Sequence, residues 1–131
     1  MSQENVEIVR AFYAAFEQGD EAAMLQILVA DVEWDTTARI DGRVTHGFEE
    51  TRASVEEGFS PFEDVRIEPQ EMRDSGDEVA VRVRGWFRGA SSGVATEISW
   101  AAVFTVRDGR IARYTDYATW PKALEAVGLS E

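Results

Sequence analysis

Asp116 and Tyr114 are the residues whose types and spacing best suit chemistry. They lie two positions apart in a run that alternates like a strand, so both side chains fall on one face. A carboxylate moved into apolar surroundings has its charged form disfavoured, which raises its pKa toward the range useful for proton abstraction beside a carbonyl. A phenol next to it can donate to the developing enolate oxygen. The competing reading puts Asp116 on the outer face of a sheet, paired with Arg113 or Arg84 for modest stability.

Which reading holds depends on the hairpin of residues 96–117, around which the chain is organised. Two runs rich in β-branched and aromatic residues flank Arg107-Asp108-Gly109, a short-range hairpin signal. In the first run Ile98, Trp100, Ala102, Phe104 and Val106 share a face. If Asp108-Gly109 is a two-residue type I′ loop, Val106 sits opposite Ile111, and Thr115 and Tyr117 join the Trp100 face. If Arg107-Asp108 form a type I turn with Gly109 in a left-handed bulge, the register moves by one. Tyr114 and Asp116 then join that face.

The elements that must position these residues read in order. Residues 5–18 form an amphipathic helix, with Val6, Ile8, Val9, Phe12, Tyr13 and Phe16 on one broad side. Gly19 stops it, and Asp20 caps a second helix to about Val29, with Met24, Leu25, Ile27 and Leu28 expected inside. Residues 31–37 alternate as a strand, Val32, Trp34 and Thr36 on one side, followed by an Asp41-Gly42 turn. Residues 47–58 form a third helix. Residues 62–72 are a weaker strand, where Pro69 marks an edge or a bulge. Residues 78–88 are a clear strand, with Val79, Val81, Val83 and Phe87 opposite Arg82, Arg84, Trp86 and Arg88. Pro121 starts a tail helix through Val127, closed by Gly128. Helices first and a mostly antiparallel sheet after them describe an α+β layer packing in one domain spanning residues 1–131.

Composition removes several classes of function. A net charge of −12 argues against binding a phosphate backbone, so no nucleic-acid partner is expected. No stretch has membrane-spanning length, and nothing after Met1 reads as a signal peptide, so a cytoplasmic location is the default. One histidine, no cysteine and no carboxylate cluster leave too few ligands for a metal.

Residues 5–20, 31–34, 46–49, 107–111 and 123–128, in this order, resemble the nuclear transport factor 2-like superfamily, in particular its SnoaL-like (polyketide cyclase-like) members. The resemblance implies a cystatin-like fold, in which a curved, mostly antiparallel sheet wraps the N-terminal helices as a cone around an apolar pocket. It also implies a homodimer through the sheet's outer face. Steroid isomerases of this fold use a tyrosine on the first helix, an aspartate on the first strand and an acid on the penultimate strand. Those positions hold Phe12, Thr36 and Ala101 or Ala102 here, so that mechanism is not expected. The tyrosine next door, Tyr13, is turned roughly 100° around the helix. SnoaL-like cyclases carry an acid–base aspartate near the end of the last strand, which matches Asp116 or Thr119.

The candidate catalytic residues are therefore Asp116 and Tyr114. Phe12, Phe16, Trp34, Thr36, Phe59, Trp100, Ala102 and Phe104 are the candidate pocket lining, for a small apolar molecule bearing a carbonyl. His46, Asp35 and Tyr13 are secondary candidates. For His46 the plainer role is a cap or an exposed group, and Asp35 alternates away from Trp34. Arg82, Arg84 and Arg88 are expected to pair with acids such as Glu97 or to meet a dimer partner. No cofactor is implied. Two functions stay open: cofactor-independent acid–base catalysis of the cyclase, isomerase or dehydratase type, and a non-catalytic ligand-binding or dimeric accessory module.

Overall fold

A computed structural model describes residues 2–131. Its elements are α1 (Ser2–Gln18), α2 (Glu21–Ile27), β1 (Leu28–Asp35), β2 (Val44–His46), α3 (Phe48–Phe59), β3 (Phe62–Ser75), β4 (Glu78–Gly89), β5 (Ala95–Arg107), β6 (Arg110–Tyr117) and α4 (Trp120–Ala126). The strands form one curved mixed sheet in the order β2-β1-β6-β5-β4-β3. Only the β1–β6 pair is parallel, because the helix and strands between them carry the chain back across the sheet.

The inner face of the sheet packs on α1. Val79, Val81 and Val83 of β4, Ala102, Phe104 and Val106 of β5, and Ile111 of β6 meet Val6, Val9 and Phe12 in one buried cluster. The two-residue period of the strands and the 3.6-residue period of the helix thus present complementary apolar surfaces. On the outer face, α4 sets Trp120, Ala123 and Leu124 against Ala80, Ala101 and Val103. Thr119 caps this helix, its hydroxyl accepting from the Lys122 N–H.

Several boundaries depart from the sequence pattern. The second helix ends at Ile27, and Leu28 is buried as the first residue of β1. Leu25, expected inside, is 51% exposed. The apolar run 24–29 fits a helix or a strand equally well, and pairing of Leu28 with Ile111 decides for the strand. Strand β2, three residues long, carries no alternation signal of its own. It pairs with β1 as an edge, and its buried Thr45 shares a 2.9 Å hydroxyl contact with Thr51 of α3. Replacing Thr51 by Val orphans that buried hydroxyl and is expected to cost about 1–2 kcal/mol in chemical denaturation. Pro69 does sit on an edge strand, next to a register shift between Pro69 and Glu71.

The final hairpin combines the two registers weighed above. Asp108 (φ 53°) and Gly109 (φ 77°) both take positive φ, the mark of a type I′ loop, and Val106 pairs with Ile111. A bulge then follows: Thr105 pairs with Arg113, leaving Ala112 as the extra residue. Ile111 and Ala112 are both buried there. From this point Phe104 pairs with Tyr114 and Ala102 with Asp116. The turn is the first alternative, and the facing of the side chains is that of the second.

Candidate functional site

The bulge turns Tyr114 and Asp116 toward the interior, where Asp116 is 3% exposed. The Tyr114 hydroxyl donates to Asp116 Oδ1. Its ring stacks on Trp34 of β1 at 4.1 Å and meets Phe104 of β5 edge-on at 5.1 Å. The stacking follows from the ladder, since Trp34 and Tyr114 are parallel-strand partners. The phenol thereby has few conformations open to it.

A third residue completes the cluster. Arg39, from the loop between β1 and β2, places Nε 2.5 Å from Asp116 Oδ2. The ion pair is close, but its N–H is not directed as a regular hydrogen bond, so Oδ2 has none. The Arg39 guanidinium also lies over the Trp100 ring, 5.7 Å from the centroid. The loop is folded by Thr36 and Arg43, whose backbone and side-chain groups bond each other, and by Arg39 and Gly42 N–H donations within it. Neither Arg113 nor Arg84 reaches the aspartate. Arg113 pairs with Glu33 at 3.1 Å, and Arg84 lies 3.8 Å from Glu97, the acid expected for it.

In front of the cluster lies a concavity of about 790 Å³ between α1, α3 and the sheet. Phe12, Phe16, Trp34, Thr36, Phe59, Trp100 and Phe104 all border it, as do Tyr114 and Arg39. Ala102, grouped with them from the sequence, does not; it is buried beneath, opposite Asp116 in the ladder. Asp116 itself is set behind Tyr114 and Arg39 and does not border the space. Tyr13 corrects the helical-wheel reading. It borders the same concavity as Phe12, because both rings reach Phe104, from 5.6 Å and 5.8 Å. An arc of roughly 100° is narrow against a wall as broad as this one.

The remaining candidates lie elsewhere. His46 is 62% exposed with Nε2 3.4 Å from Glu33, and its backbone N–H is capped by Glu50. Asp35 accepts from the Thr37 N–H and hydroxyl, closing a local turn. Thr119 is engaged as the α4 cap. Among the described residues no His, Cys, Asp and Glu cluster has the makings of a metal site, and no helix is long and apolar enough to cross a membrane.

The model of the SnoaL-like domain matches residues 9–114. The chain belongs to the SnoaL-like family. No curated protein matches this SnoaL-like chain. Among solved structures it is similar to a nuclear transport factor 2-like protein from Burkholderia xenovorans, with 27% identity, 97% of each chain covered and a TM-score of 0.75. It is also similar to TerC, co-crystallised with polyporic acid, with 23% identity, 95% and 97% coverage and a TM-score of 0.79. A SnoaL-like protein from Jannaschia matches at 16% identity, 100% and 96% coverage and a TM-score of 0.79.

The electrostatics of the SnoaL-like cluster follow from burial. Desolvation pushes the Asp116 carboxyl above its usual range, opposed by the nearby Arg39 guanidinium and by the hydrogen bond from Tyr114, while Asp35 adds to the rise. Burial and the Asp116 charge push the Tyr13 and Tyr114 phenols up. Because the folded chain holds the Asp116 proton more tightly than the unfolded one, unfolding free energy falls as pH rises through that interval. The contribution is present below the unfolded aspartate value of about 3.9 and is lost as pH passes the raised native one. Denaturation of wild type and Asp116→Asn across this range should therefore give a difference that moves against wild type with rising pH. A flat or opposite slope would contradict the burial of the carboxyl.

Proposed function

We propose that this protein takes a small carbonyl-containing molecule into the concavity and performs cofactor-independent acid–base chemistry on it, of the cyclase, isomerase or dehydratase type. The observation that carries the reading is the buried Tyr114–Asp116 pair at the end of an aromatic-walled space. The volume suits a small-molecule site, which typically spans about 300–1,000 Å³.

The roles divide by position. With Asp116 ionised, the phenol proton points at Oδ1. With Asp116 neutral, the state that burial favours, the carboxyl O–H points at the phenol oxygen and frees the phenol proton for the ligand. In a cyclisation, an enol carbon of the ligand attacks its own carbonyl carbon. The C=O electron pair moves to oxygen, which takes the Tyr114 proton while Asp116 passes its own to Tyr114. The proton lost by the enol oxygen passes to solvent, and a proton from solvent returns to Asp116 through Tyr114, so the pair emerges unchanged. Tyr114 is the group that touches the reacting oxygen, and Asp116 acts through it.

A second reading, a non-catalytic ligand-binding module, is favoured by one observation: Arg39 clasps the carboxylate, and an ion-paired acid is a weaker base. Thermal-shift screening with polycyclic ketones, followed by turnover assays of wild type and Asp116→Asn, separates the two. Turnover abolished with binding retained supports the enzyme; tight binding with no turnover in either protein supports the module. The family resemblance supports a further proposal, a cytoplasmic homodimer joined through the outer face of the sheet. Light scattering tests the dimer.

A further inference from the structure

We infer that the ligand of this site is an anion, carrying a planar, two-oxygen delocalised charge (a carboxylate or an ionised β-dicarbonyl enol) that docks on the outward edge of the Arg39 guanidinium. The inference rests on the concavity being a ligand site and names the class of molecule it takes.

Arg39 has five N–H donors in a rigid fork. Among the described residues its partners are Asp116, which lies behind the wall, and Tyr114 and the Trp100 face, which border the space beside it. Its side chain is nevertheless 48% exposed and forms part of the wall. Asp116 holds the fork from the buried side, and the exposed part of the guanidinium leaves donors for the space, an arrangement suited to a planar pair of oxygens.

The other cations on this wall are already matched. Arg43 pairs with Glu57 at 2.9 Å, and Arg52 is held by Glu49 and Glu56, each at 2.9 Å. All three are surface pairs, their acids 63–80% exposed. Arg39 differs in that its carboxylate partner lies beneath it, shielded from the space. The ring of Trp100 under the guanidinium continues the flat wall, so a conjugated acid meets charge and stacking surface together. Asp41 also borders the space, but it is exposed and its charge is screened by solvent. The overall charge of −12 slows an approaching anion without removing the local site.

The test uses naphthoate, its neutral counterpart naphthamide, and the anion of phenylindandione, titrated calorimetrically against the full chain. Wild type should bind at least one of the two anions about tenfold or more tightly than naphthamide. Preference for naphthoate identifies the carboxylate, and preference for phenylindandione the enol. Arg39→Gln should bring the anion and the amide to equal affinity while leaving naphthamide binding unchanged, and Arg39→Lys should restore only part of the gap. If Arg39→Gln does not fold, Asp116→Asn serves in its place: removing the competing carboxylate should strengthen anion binding several-fold. Naphthamide binding as tightly as both anions overturns the inference and leaves the pocket standing. So does an anion preference that survives Arg39→Gln, or one that weakens in Asp116→Asn. Absence of binding by all three probes overturns the pocket as well.

Discussion

Asp116→Asn is expected to lower kcat on any carbonyl substrate found in the thermal-shift screen by about 10²–10⁴, with binding of that substrate retained. Asparagine keeps the size of the side chain and can still accept from the Tyr114 hydroxyl, so the phenol remains docked. It cannot pass a proton to that phenol. Tyr114 must then charge alone, in a setting where burial and its neighbours already hold its pKa far up. Tyr114→Phe should lose about as much, by removing the donor to the developing oxyanion. The double variant should be little worse than either single one, because both act on one proton path. Rates that fall by the product of the two single effects would show separate roles, and an unchanged rate in Asp116→Asn would remove the aspartate from the chemistry.

How much of this was legible in the sequence depends on the range of the forces involved. The inner faces of β4 and β5 and the apolar side of α1 could be read directly from their periods, although Ile98 of that face is 47% exposed and α4 also buries Ala80, Ala101 and Val103 on the opposite one. The pairing of a phenol with an acid on one strand face was equally legible. Their direction was not, because the bulge at Ala112 reverses what the Asp108-Gly109 turn alone would give. Ile111 and Ala112 are both apolar, so burying both costs no polar group and leaves no mark in the pattern. Arg39 escaped notice for a different reason. It lies in a loop with no period, and its partner is 77 positions away in β6. The available signal was weak: an arginine between Thr36 and Gly42, in a chain with 13 basic and 25 acidic residues.

The position of Arg39 also reconciles two features that pull apart. A buried acid invites proton transfer, yet a guanidinium against it favours the ionised form and opposes that transfer. An anionic ligand resolves the opposition. Once its oxygens share the guanidinium, the aspartate is held ionised less strongly, and its proton affinity rises as substrate arrives. Binding would then prepare the acid form that the proposed chemistry consumes, and ligand binding should be accompanied by proton uptake.

Gly42→Ala is expected to destabilise the fold by about 3 kcal/mol, at the upper end for a single substitution. A Cβ built on Gly42 would lie 1.7 Å from the Thr36 carbonyl oxygen and 2.9 Å from the Thr37 Cα. Both are backbone atoms, so no side chain can swing aside to make room. The contact is tight because the loop is closed on itself: Thr36 and Arg43 bond across it, and Gly42 donates to the Arg39 carbonyl at 3.0 Å. Opening the loop would therefore also release Arg39 from Asp116. If the loop yields before the fold does, the loss of melting temperature will be smaller and the preference for naphthoate over naphthamide will disappear instead. Gly58→Ala is the matched control, a glycine inside α3 with nothing within 4 Å of a new Cβ, and it should be neutral or stabilising by about 0.5–1 kcal/mol. A Gly42→Ala protein with wild-type melting temperature and wild-type anion preference would show that this loop neither strains against a Cβ nor holds Arg39 in place.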